Sequence, residues 1–118
     1  MTRTEAENTV LHDAMRSLRH AGWMLDHVDL LEDQTEEIKK VETEREAIQW
    51  TLAVDESKIV MTKGSRNNMQ RCSILVIRGN GVDVIADYGA TQEAYEEVSR
   101  IIDEALEESH EKLSSAAE

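Results

Sequence analysis

The residues of this chain that could do chemistry stand apart from one another. Asp83 and Asp87, if they share a strand, lie on one face about 13 Å apart at the usual rise, too far for a shared proton or a single metal ion. Pairing with Arg78 is the better use of Asp83. His12, His20, His27 and His110 show no metal-ligand spacing, and the two on the first helix are more than two turns apart, so they read as surface histidines. Cys72 is the single cysteine of 118 residues. It can form no internal disulfide, and without a CxxC partner or a closely following histidine it reads as a small hydrophobe beginning a strand. Gly79-Asn80-Gly81 lacks the following helix N-terminus that would aim N–H groups at a phosphate, and it reads as a turn. No catalytic residue, cofactor-binding residue or metal ligand is assigned, no cofactor is expected, and an enzyme is not expected because no nucleophile stands beside a base.

Charge is the feature that remains. The formal charge is −12, and it is segregated: residues 1–56 carry 14 acidic and 6 basic side chains, residues 57–82 carry 5 basic and none acidic, and residues 83–118 carry 11 acidic and 2 basic. Such segregation acts on association rate and choice of partner rather than on fold. The basic segment centres on Gly64-Ser65-Arg66-Asn67-Asn68-Met69-Gln70-Arg71, read as a polar loop between two strands, longer than a hairpin needs. Arg66 and Arg71 are its candidate contact residues. Glu104, Glu107, Glu108 and Glu111 crowd the last turns of a C-terminal helix expected to end near residue 111, where the macrodipole disfavours negative charge by a few tenths of a kcal/mol each. Each cluster has a plain reading, a solvated loop balancing acidic helices in one case and solubility or a salt-adapted source in the other. Each also has a sharper one. The arginines would meet an acidic surface, and the glutamates would occupy the cationic nucleic-acid channel of another protein by imitating its charge. Direct nucleic-acid binding is disfavoured, since the surrounding negative field repels a polyanion.

The elements that must position these groups follow from periodicity. With 40% hydrophobic residues in 118, one domain spanning 1–118 is expected, able to bury about two-thirds of its unfolded surface. The longest aliphatic run, Ile74 to Ile77, is far short of the roughly 20 residues of a membrane-spanning helix. No membrane association is expected; the polar N-terminus lacks the apolar core of a secretion signal, and a lone cysteine fits a cytoplasmic location. Thr4-x-x-Glu7 reads as a capping box opening a helix over about residues 5–21, whose stripe is Val10, Leu11, Ala14, Met15, Leu18 and Ala21. Trp23–Leu31 suits a partly exposed strand, residues 32–37 a turn, and Ile38–Val41 a second short strand. Residues 44–56 fit either a strand or a helix; the capping box Thr43-x-x-Glu46 favours the helix. Lys58–Lys63 alternates as a strand. A last helix is expected from an N-cap at Thr91, burying Tyr95, Val98, Ile101, Ile102, Ala105 and Leu106, with residues 112–118 frayed.

Residues 72–88 carry the strongest local pattern. Asn80-Gly81 reads as a type I′ pair joining Cys72–Gly79 to Val82–Tyr88, with Arg78 opposite Asp83, Val76 opposite Ile85 and Leu75 opposite Ala86. Both faces of that hairpin are apolar, so helices or a second subunit must cover both, and a homodimer is one expectation. The fold class expected is α+β, an antiparallel sheet with a C-terminal hairpin packed by an N-terminal, a middle and a C-terminal helix.

Residues 43–106, through Gly79-Asn80 and the Asp83-Val84-Ile85-Ala86-Asp87-Tyr88 strand, resemble small accessory proteins of phages and mobile elements in which a Gly-Asn turn leads into an Asp-Val-Ile-x-Asp-Tyr strand. Where those proteins often carry an aromatic residue near the start of the hairpin, this chain has Cys72-Ser73. The resemblance implies the helix over residues 44–56 and brings no activity or site residue with it. Two functions stand as expectations. One is a phage-encoded inhibitor of a host nucleic-acid-handling or defence system, of anti-CRISPR or anti-restriction type, docking its acidic surface on a host protein's basic groove. The other is a homodimeric structural or accessory phage protein whose acidity serves solubility or salt adaptation.

Overall fold

The computed structural model of the chain describes residues 2–32 and 35–116. Helices α1 (Arg3–His20), α2 (Glu44–Thr51) and α3 (Tyr95–Ala116) lie against one face of a five-stranded antiparallel sheet. Its strands are β1 (Met24–Glu32), β2 (Thr35–Lys40), β3 (Glu56–Lys63), β4 (Gln70–Ile77) and β5 (Ile85–Ala90), in the order β2-β1-β3-β4-β5. The α+β class is therefore as the sequence reads. Alternation explains which side each strand buries: Ile59 and Met61 of β3 stand opposite Ile74 and Cys72 of β4, and Val28 opposite Ile59, all on the helix side and all shut from solvent. Onto them α1 lays Val10, Leu11, Ala14, Met15 and Leu18, and α3 lays Val98 and Ile102. The two helices are held side by side where Asp13 Oδ2 accepts from Ser109 Oγ at 2.7 Å and from Lys112 Nζ at 3.1 Å.

Several expectations are corrected by contacts between residues distant in the chain. Thr2, not Thr4, caps α1, accepting from the Glu5 N–H. Glu7 is then no capping-box partner; it is 2% exposed and accepts the Gly79 N–H at 2.7 Å. The expected turn at 32–37 is shorter, because β2 already begins at Thr35; residues 33–34 lie outside those described. Thr43 caps α2 as read, through the Glu46 N–H, but α2 stops at Thr51, and Arg78 holds the chain that follows by bonding the Leu52 carbonyl and the Asp55 carboxylate. Arg78 is thus spent on Asp55 and does not face Asp83.

The type I′ hairpin does not form. Asn80 has φ −100°, whereas that turn needs positive φ at both central residues, and a 3-10 turn over Gly81–Asp83 follows instead. The Ile77 N–H bonds the Val84 carbonyl at 2.9 Å, closing a wider loop whose Val84 is wholly buried. Burying Val84 against α1 and satisfying Glu7 outweigh the local turn preference. Val76 opposes Ile85 as expected, but an irregularity then sets Leu75 opposite Asp87 rather than Ala86. Asp83, in the 3-10 turn, shares no strand with Asp87.

Thr91 is not the N-cap of α3. Its Oγ1 accepts the Arg71 N–H at 2.9 Å and donates to the Arg71 carbonyl at 3.2 Å, pinning the ends of β4 and β5 together. Helix α3 starts four residues later, and Tyr95, expected in its buried stripe, is 47% exposed. At the other end α3 continues through the stretch expected to fray as far as Ala116, because Leu113 is buried and Lys112 reaches Asp13; residues 117–118 lie outside those described.

The β3–β4 connection is shorter than the eight-residue loop expected, since β4 already includes Gln70 and Arg71. It depends on Gly64. At φ +108°, an added Cβ would come within 2.4 Å of the Asn68 carbonyl oxygen, a backbone atom that cannot swing aside. Gly64→Ala should lower stability by roughly 1–3 kcal/mol. A thermal melt within a degree of the parent would contradict this account of the loop.

The sheet face away from the helices has no cover among the described residues. Both faces of β4 are apolar as expected, with Leu75 and Ile77 on this open side, but the helices cover only the other side.

Candidate functional site

Helix α3 is long, about 33 Å at the usual rise, and it is anchored along its length. Near its start Glu97 Oε1 accepts from Lys63 Nζ at 2.8 Å and from Trp23 Nε1 at 3.4 Å, with the Lys63 ammonium 5.9 Å from the Trp23 ring centroid. Next, the Tyr88 hydroxyl donates to Asp103 at 2.9 Å and lies 2.9 Å from Ser99 Oγ. Ser109 and Lys112 fasten the far end to α1 through Asp13. A helix tied at three points presents its outer face as a rigid surface.

That outer face carries the acidic cluster. Glu104, Glu107, Glu108 and Glu111 are all exposed, and their three- and four-residue spacing puts them on one flank. Only Glu104 meets a cation among the described residues, Arg100 at a loose 3.9 Å with both side chains 64% exposed. Because α3 ends at Ala116, Glu111 sits more than a turn from the C-terminus, so the dipole penalty expected for the cluster largely lapses. Mutual repulsion remains, a few tenths of a kcal/mol for each like-charged pair. Four carboxylates along about 10 Å of axis give one charge per roughly 3 Å, close to the about 3.4 Å of one nucleic-acid strand and about half the line charge of a duplex.

Beside the stripe a groove of about 210 Å³ runs between α1 and α3, lined by Ser17, His20, Ile101, Glu104, Ala105 and Glu108. Two carboxylates, a hydroxyl and the His20 ring surround a small floor of Ile101 and Ala105, a mainly polar seat that suits the charged head of a lysine or arginine. Sequence reasoning missed this groove, because Ser17 and His20 come to it from another helix.

Arg66 and Arg71 do not join the glutamates. Arg66 lies in the connection after Gly64, while Arg71 is exposed on β4 opposite Thr62, on the open side of the sheet. The basic segment of the sequence thus becomes β3, β4 and the connections at their ends, and most of the acidic C-terminal segment becomes α3. Two of its five cations are neutralised internally, Lys63 by Glu97 and Arg78 by Asp55.

Other places for chemistry are poorly furnished. Cys72 is buried, and burial pushes its thiol up to about 12, far from a reactive thiolate. A depression of about 690 Å³ beside Tyr95 is lined by Ala90, Gln92, Glu93 and Glu96 and holds no serine, cysteine or histidine. Among the described residues no three His, Cys, Asp or Glu side chains gather closely enough to hold a metal, and no helix is long and apolar enough to cross a membrane. No family model, no curated protein and no solved structure matches the chain.

The Lys63 hydrogen bond holds the Glu97 carboxyl below its ordinary value of 4.5, helped by Trp23 and against some desolvation. A carboxyl lowered in the folded state stabilises above its unfolded value, and that contribution is lost as pH falls through the folded one. Glu97→Gln should therefore flatten the loss of melting temperature between about pH 5 and pH 3. A parent and variant with parallel pH profiles would show that the anchor contributes nothing.

Proposed function

We propose that the chain is a small non-enzymatic interaction protein that docks the outer face of α3 on a basic groove of another protein, in competition with that protein's nucleic acid. The observation that carries the reading is the stripe Glu104, Glu107, Glu108 and Glu111, exposed, nearly free of internal cations and set on a helix tied to the sheet and to α1. The groove beside it offers a seat for one lysine or arginine. In the setting implied by the resemblance of residues 43–106, the partner is a host nucleic-acid-handling or defence protein, and the chain is its phage-encoded inhibitor. Cytoplasmic location belongs to the same reading.

The test is affinity capture from a host lysate at about 0.15 M and about 0.5 M salt, where the screening length shortens from about 8 Å to roughly half that. Proteins retained by the chain should be nucleic-acid-binding, should elute in the higher salt and should be displaced by heparin. Retention indifferent to salt and to heparin would refute the reading.

A further inference from the structure

We propose that the open face of the sheet is the interface of a homodimer, in which two copies pack face to face and leave both acidic α3 surfaces outward. The face has an apolar centre and borders: Val60, Leu75 and Ile77 on the two middle strands, Leu31 and the 69%-exposed Met24 on β1, and the 59%-exposed Ile38 on β2. Among the described residues no helix reaches it. Val60 is almost shut off by its own neighbours, but the others offer apolar atoms to solvent on a surface that is otherwise heavily charged.

Charge names the occupant. Lys40, Lys58 and Arg71 on this face stand among Asp29, Glu56 and Asp87, Glu36 holds the register position opposite Leu31, and the adjacent Asp26 is held by His27 at 2.5 Å. The face thus intersperses both signs with only a small acidic excess on a molecule of charge −12. Two like-charged copies meet here with less repulsion than through the helix layer, and an interspersed pattern of both signs can complement itself across a two-fold axis. A strongly acidic or strongly basic partner would find no such complement.

Size also suffices. Four strand spacings of about 4.8 Å, with the width of the outer side chains, and strands of about 20–25 Å give a flat footprint of roughly 500 Å² per copy. Two copies then bury about 1,000 Å² before side-chain relief is counted, the lower bound for a specific interface. Ser73 and Gly89 stand opposite each other on β4 and β5 and leave a depression of about 200 Å³, bordered by Lys58, Leu75 and Asp87, into which a partner side chain can interdigitate. The interface does not depend on what α3 binds, but it makes that binding bivalent.

The experiment is light scattering of the full chain from about 1 to 500 µM, with the span set to bracket a weak dimer, beside the variants Leu75→Glu, Lys58→Glu and a Glu107→Lys/Glu111→Lys control. Lys58 is exposed, so its variant remains informative if Leu75→Glu disturbs the fold. The parent should reach twice 13.4 kDa. Lys58→Glu should weaken the dimer by about tenfold or more and Leu75→Glu by about a hundredfold, with circular dichroism unchanged, while the control keeps the parent's mass. A parent monomeric throughout, or a dimer that survives Lys58→Glu or is lost in the control, would overturn the proposal. The α3 reading is judged separately, by partner capture with each variant.

Discussion

Replacing Ile101 and Ile102 together with alanine should unfold the protein or bring it to the edge of unfolding. Ile102 is wholly buried and Ile101 is 7% exposed, both packed between α3 and the rest of the core. Truncating one buried isoleucine costs about 2–5 kcal/mol, because the cavity left behind adds to the lost transfer energy. Two together approach the whole margin of about 5–15 kcal/mol for a domain of this size. Arg66→Ser/Arg71→Ser is the contrasting pair. Both side chains are exposed, and neither forms an ion pair among the described residues, so the melting temperature should move by no more than a few degrees. The reverse ranking in thermal melts would mean that the connection after Gly64 is packed and that α3 is peripheral.

The second large effect concerns binding. Changing Glu104, Glu107, Glu108 and Glu111 to lysine turns four negative charges into four positive ones on a surface that makes almost no internal contacts. Folding should therefore be little changed, since four lysines repel one another much as four glutamates do. Against a basic groove, even rim charges worth about 0.5–1 kcal/mol each sum to roughly 2–4 kcal/mol, a loss of about 30- to 1,000-fold. Most of it should fall on the association rate, which long-range fields control. Kinetics of the captured partner by surface plasmon resonance check this. An association rate within twofold of the parent's would place the contact elsewhere.

The class of fold and the side each element buries were legible because they rest on local period. The stripe from Val10 to Leu18 and the alternation through Ile59, Met61, Ile74 and Val76 leave one arrangement that hides the apolar side chains. The turn after Ile77 was not legible. Asn80-Gly81 has the local chemistry of a tight hairpin, and only the Glu7 carboxylate from 72 residues away, with the burial of Val84, makes a wider loop better. Thr91 misled in the same way: a hydroxyl suited to capping a helix is used instead to close the end of the sheet. The acidic cluster was legible as composition, and its exposure follows from period. Its groove was not, because Ser17 and His20 belong to a helix more than 80 residues earlier. That the open face intersperses charges of both signs could not be read either, since it depends on the register of four strand pairs.

The central claim is that α3 takes the place of nucleic acid in a partner's groove, and mutual exclusion tests it most directly. A captured partner loaded with a labelled duplex oligonucleotide is titrated with the chain while fluorescence anisotropy reports the bound label. The account predicts that anisotropy falls to the free value as the chain is added, that more oligonucleotide shifts the midpoint proportionally, and that the four-glutamate reversal displaces nothing. A stable ternary complex, with the label still bound when the partner is saturated by the chain, would contradict it.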